Sequence, residues 1–197
     1  MAYPSVAGPY GLIPINLIGG QVFAGSTRQI PIGSGSATSI FFGDIVKINS
    51  SGTIDKDTGT SAATPIGVFL GCSFTDPVFG KTFRQYFPAN TVAADINAYV
   101  SDDPDTLYKV AVVSTGTTIS YVTRSAVGNN TALVQNAGNT ATGDSNVAVS
   151  STTATTSTLP VRIIDVIAET QSSPGSYTEV VVKWNQGMHQ YLNPTGV

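Results

Sequence analysis

The chain has 197 residues, with nine Lys/Arg against twelve Asp/Glu, a formal charge of −3, and 11% charged against 41% hydrophobic residues. Soluble domains commonly carry about 25% charged residues; a nucleic-acid binder needs a cationic face for phosphates and a disordered chain is charge-rich and poor in apolar residues, so both classes are excluded. No run reaches the roughly 18 apolar residues of a membrane-spanning helix, no basic-then-apolar leader signals secretion, and the single cysteine, Cys72, permits no internal disulfide.

From residue 1 to residue 43 the only charged side chain is Arg28, while Pro4, Pro9, Pro14 and Pro31 interrupt any regular element. Apolar residues nevertheless recur: Tyr3, Tyr10, Leu12, Ile13, Ile15, Leu17, Ile18, Val22 and Phe23. An apolar segment that resists regular structure lies extended in a groove, either its own or a partner's. Residues 1–32 are therefore expected to form an extended arm, with these nine residues and Arg28 as the candidate partner contacts.

Residues 33–197 read as one β-domain. Ile40 to Ile48 is β-branched and aromatic, and Asn49-Ser50-Ser51-Gly52 supplies turn chemistry before Thr53 to Asp55 returns. Pro65 to Phe74 reads as a buried strand, followed by Lys81 to Phe87 and Ile96 to Val100. Asp102-Asp103-Pro104-Asp105 forms a turn before Leu107 to Val113, and Thr117 to Thr123 continues the pattern. Residues 125–158 are dominated by Ser, Thr, Asn, Ala and Gly and read as an insertion. Its stretch from Ser150 to Thr158 contains only Ser, Thr and Ala, and is either a flexible linker or an edge strand. Leu159 to Ile167 and Tyr177 to Trp184 are strong strands that form a hairpin. Short strands with frequent turns imply an all-β fold, an antiparallel barrel or sandwich.

The survey for chemistry is sparse. The one Cys and the one His, Cys72 and His189, provide the elements of a nucleophile–base pair, but Cys72 sits in an apolar strand where a thiol behaves as a small hydrophobe. Gly33-Ser34-Gly35-Ser36 lacks the spacing of a nucleophile elbow. Asp55-x-Asp57-x-Gly59 resembles the start of a calcium loop, yet its glycine comes one residue early and Ile66 stands where the last ligand belongs. Asp102, Asp103 and Asp105 read first as a solvated turn. Tyr3, Tyr10, Tyr86, Tyr191 and Trp184 are explained by packing before a sugar platform. No enzyme, cofactor or metal site is expected.

The segment Gly43-Asp44-Ile45-Val46-Lys47-Ile48, then Ser51-Gly52-Thr53-Ile54, then Thr64-Pro65-Ile66-Gly67-Val68-Phe69-Leu70-Gly71 resembles the pattern G-D-x-V, G-x-I, P-I-G-V of small β-barrel decoration (cement) proteins of tailed bacteriophages. The low-charge composition, the "GGQVFAG" arm and the "KWNQGMHQY" end look like structural proteins of cyanophage type. The resemblance implies a virion protein on the outer surface of the capsid, made in the host bacterial cytoplasm. It would bind the major capsid protein and copies of itself, as a homotrimer or lattice-mediated oligomer, and stabilise the DNA-filled head without nucleic-acid or membrane contact. A tail tube, fibre or other virion component is the alternative, with residues 159–184 as a ring-interface hairpin; a carbohydrate-binding β-sandwich module is a third.

Overall fold

The structure is a computed structural model and describes residues 6–197; Tyr3 lies outside them. In chain order the strands are β1 (Ile13–Leu17), β2 (Arg28–Pro31), β3 (Ile45–Ile48), β4 (Ile54–Lys56), β5 (Gly67–Asp76), β6 (Gly80–Arg84), β7 (Asn97–Ser101), β8 (Thr106–Thr115), β9 (Thr118–Ile119), β10 (Asn130–Val134), β11 (Ala148–Ala154), β12 (Val161–Val166), β13 (Gln171–Ser173), β14 (Ser176–Tyr177) and β15 (Glu179–Trp184). Helix is confined to three short 3-10 turns among the described residues. The protein is all-β, and it contains a closed five-stranded barrel.

The barrel is the ring β8, β11, β10, β12, β15, with β15 returning to β8. Four of its pairings are antiparallel; β11 lies parallel to β8, with Val149 opposite Val112. The expected antiparallel barrel is present, and its one parallel contact has a topological reason. Up-and-down alternation cannot close around an odd number of strands, so a five-membered ring needs one parallel neighbour. The second sheet obeys the same rule. Its order is β2, β7, β5, β3, β4, with β6 extending the β3 side of β5, and a single parallel bridge from Ile32 to Ile54 brings its ends together.

Period-two alternation places the cores. Tyr108, Val110 and Val112 of β8 face Val180, Val182 and Trp184 of β15 inside the barrel. In β12 the register slips between Ile163 and Asp165, and this bulge lets Val166 join Val161 and Ile163 in the core while Asp165 stays out. Strands β3 and β5 are buried on both faces: Ile45 and Val68 join the barrel core, whereas Val46 and Phe69 join the second core with Ile30, Ile32, Ile54 and Phe87. The two sheets thus share a layer.

Three expectations are corrected. The segment read as an arm is built into both sheets: β1 pairs with β8, β2 pairs with β7, Leu12 is fully buried in the barrel core, and Ile30 and Ile32 are in the second core. Leu12, Ile30 and Ile32 thus fill grooves of their own chain. Residues 125–158 are not an insertion either, since they carry β10 and β11, two members of the ring. The Ser/Thr run enters the ring at Ser150, which pairs with Val113 of β8, and continues along β10 at Thr153 and Ala154; the buried Thr131 hydroxyl donates to the carbonyl of Ser150 at 2.8 Å, so a short polar side chain finds its partner in the adjoining strand. Finally, Ile40 to Ile48 is a strand only from Ile45. The chain turns at Gly43, whose φ of 88° strains any side chain and whose Cβ would crowd Gly11 at 3.1 Å.

Candidate functional site

The most exposed apolar surface is the connection between β5 and β6. Asp76-Pro77-Val78-Phe79-Gly80 leaves Val78 79% and Phe79 77% exposed, and Phe83 on β6 is 71% exposed. The turn is held from within. Asp76 Oδ1 accepts the backbone N–H of Val78 at 2.8 Å and of Phe79 at 3.1 Å, and these amides hold its carboxyl below the usual carboxylate range. Arg84 lies 4.0 Å from the other Asp76 oxygen. At the base, Lys81 meets Asp95 at 2.8 Å, and Asp95 also accepts from the amide and hydroxyl of Thr75. Phe83 stacks on Tyr99 with centroids 6.4 Å apart. The result is a preorganised knob with its charges paired and its apolar side chains in solvent. Among the described residues β6 pairs with β5 alone, so its other edge is open. Exposed apolar patches on an ordered scaffold mark interaction surfaces.

The structure separates the expected contact residues. Tyr10 is half-buried; its hydroxyl donates to Glu179 and Lys109 lies over its ring, while burial and that carboxylate push its pKa upward. Leu12 is core, and Ile13 and Leu17 are paired along β8 with Ile15 half-buried between them. Phe23 is half-buried, its amide reaching the Ile15 carbonyl at 3.4 Å. Arg28 is held at 2.8 Å by Asp102 and lies over the Tyr191 ring. Tyr10, Leu12, Ile13, Ile15, Leu17, Phe23 and Arg28 therefore contact their own chain. Ile18 and Val22, 50% and 76% exposed, remain available. Val78, Phe79 and Phe83 were not among the expected contacts. Their signal was present in the sequence: an apolar pair inside Asp-Pro-x-x-Gly, where a turn ordinarily carries polar residues.

The polar candidates are each engaged locally. Asp57 accepts the amides of Gly59 at 2.8 Å and Thr64 at 3.0 Å, and Asp55 accepts from Asn49 at 2.8 Å, which is a braced turn. Asp102 is shared by Arg28 and the Tyr191 hydroxyl, Asp103 accepts the Asp105 amide, and Asp105 meets Lys183 at 2.6 Å. Among the described residues no three His, Cys, Asp or Glu side chains gather where they could hold a metal. Chelation with EDTA is accordingly expected to leave the melting temperature unchanged; a reproducible drop would reveal a cation in one of these turns. Cys72 packs in the second core beside the Tyr86 carbonyl, and burial pushes its thiol up to about 12. His189 lies in different surroundings, between Ile66, Asp102 and Tyr191.

Compared with protein-family models, with curated proteins and with solved structures, the chain matches none.

Proposed function

We propose that this chain is a structural virion protein that decorates the outer surface of a tailed-phage head, binding the major capsid protein and stabilising the DNA-filled shell. The observation that carries the reading is the rigid apolar knob of Val78 and Phe79 on a surface with few charges, together with the G-D-x-V and P-I-G-V segments that resemble decoration proteins. A neutral knob is suited to a dry pocket on a protein neighbour. Fully burying each of two such side chains is worth about 1.5–3 kcal/mol, and repetition over a lattice turns modest single contacts into firm retention. Self-association, as trimers or through the lattice, belongs to the same proposal. The tail-tube alternative is less favoured, because the 159–184 hairpin it would use is occupied inside the barrel.

The first test is the copy number and location of the protein in purified particles, with heads and tails separated. Copies comparable to the major capsid protein and confined to heads are expected; recovery from tails alone, or absence from particles, would overturn the reading. The second test replaces Val78 and Phe79 together by Asp. Exposed positions change stability little, within about 0.5 kcal/mol each, while binding to empty shells should fall roughly 100-fold. Unchanged shell binding by a stably folded variant would remove the knob from the interface.

A further inference from the structure

Beyond β15 the chain leaves the barrel and straps across to the second sheet. Gln190 is the fastening: its side-chain oxygen accepts the Ile48 amide at 2.7 Å and its side-chain nitrogen donates to the Ile48 carbonyl at 2.9 Å. Its own backbone N–H reaches the Pro65 carbonyl at 2.9 Å. One side chain thereby satisfies the end of β3 as a further strand would. Tyr191 adds its hydroxyl bond to Asp102 at 3.0 Å and its stack with Arg28. Beneath the strap lies a cavity of about 260 Å³ whose lining includes Ile48, Thr64 and Ile66.

The pivot of this strap is His189, the single histidine of the chain and fully buried. Its Nδ1 accepts the backbone N–H of Tyr191 at 3.3 Å, which requires a neutral ring with the proton on Nε2. Nε2 itself meets no hydrogen-bonding partner among the described residues. A second proton would have to enter at Nδ1, where it meets a donor rather than an acceptor. The positive ring would also be out of water. Burial accordingly holds the imidazole below its ordinary pKa of 6.5. The opposing influences are weaker: the carbonyls of Ile66 and Asp102, near the ring but outside hydrogen-bond geometry with Nε2, and the carboxylates of Asp102 and Asp103 favour the charged ring. Tyr191 on the strap and Arg28, engaged with Asp102, complete the titratable and charged groups around it.

We propose that His189 is an acid-sensitive latch: its protonation ejects residues 188–192 from the second sheet, freeing the Ile48 backbone and uncovering the Ile48–Ile66 groove while the barrel stays folded. The sign follows from linkage. The ring binds a proton more readily in the open form than in the closed one. The closed form is therefore fully favoured above about pH 6.5. The opening constant rises about tenfold per pH unit below that, until the closed-state pKa is reached. The latch is independent of the virion reading.

Hydrogen exchange on the full chain, corrected for intrinsic rates and run from about pH 7.5 to 5, tests it. The amides of Ile48, Gln190 and Tyr191 should hold their protection above about pH 6.5 and lose it by about tenfold per pH unit below, down to the closed-state pKa, with β12 and β15 still protected. Fluorescence of Trp184, the single tryptophan at the root of the strap, should change over the same range. His189→Gln should flatten both responses, and Asp102→Asn should not abolish them. Opening of the Gln variant at the same pH as the parent, or no opening before the barrel unfolds, would overturn the proposal. Should the Gln variant fail to fold, the ring of the parent protein is titrated by NMR: a pKa at or above 6.5 overturns the latch, and a lower one that coincides with the loss of amide protection supports it.

Discussion

Asp44→Ala is expected to destabilise the fold by about 3–5 kcal/mol, the cost of removing one partner from a buried ion pair. The Asp44 side chain is fully buried and Lys56 is only 10% exposed. Asp44 Oδ2 meets Lys56 Nζ at 2.9 Å and accepts the Phe41 amide at 2.9 Å, while Oδ1 accepts the Ser145 hydroxyl at 2.6 Å. One carboxylate therefore ties the turn before β3 to β4 and to the segment that leads into β11. With alanine, the Lys56 ammonium keeps its burial and loses its counter-charge, and the Phe41 amide and Ser145 hydroxyl lose their acceptor. Asp44→Ala combined with Lys56→Met should recover part of the loss, because burying no charge is less costly than burying an unpaired one. Urea denaturation with a two-state check reads both variants. A loss below about 1 kcal/mol for Asp44→Ala, the scale of an exposed pair, would show that the pair contributes nothing beyond a surface contact.

Gly67→Ala is the second large effect. A Cβ there would lie 2.1 Å from the Ser101 carbonyl oxygen and 3.0 Å from the Asp102 Cα. Both obstacles are backbone, and Ser101 is the β7 residue paired with the neighbouring Val68. No rotamer change can relieve the clash, so β5 and β7 must separate where β5 is buried on both faces. Overpacking of cores costs typically 1–3 kcal/mol and more when the backbone has to move; a loss of about 3 kcal/mol or failure to fold is expected. Gly33→Ala is the control, since its Cβ would meet only Thr53 Oγ1 at 3.8 Å, and it should stay within about 0.5 kcal/mol. Equal melting temperatures for the two variants would refute the close approach of β5 and β7.

These two residues also show how legible the chain was. Asp44 and Gly67 stand out in the sequence as parts of G-D-x-V and P-I-G-V, but nothing in the string says that the carboxylate is buried against Lys56 or that the glycine faces a carbonyl. Conversely, the Val78–Phe79 knob is written openly in Asp-Pro-x-x-Gly and passes unnoticed, because an apolar pair between two apolar strands reads as their continuation. Tyr10 and Leu12, expected as partner contacts, pack against their own chain, and the reason is related. Hydrophobicity says that a side chain leaves water and is silent on whose groove receives it.

The sequence by itself determined the class of this protein. β-branched runs such as Val161–Val166 and Glu179–Trp184, turns rich in Gly, Asn, Asp and Pro, and the lack of helical periodicity are local properties, and local properties specify all-β structure. Only the tertiary structure decided the rest. Closure of the ring, the parallel contact of β11 with β8, the place of a Ser/Thr tract in a ring strand and the burial of His189 within the strap all depend on pairings between residues far apart in the chain. Such pairings are selected by the joint packing of both cores, and no window of neighbouring residues contains that information.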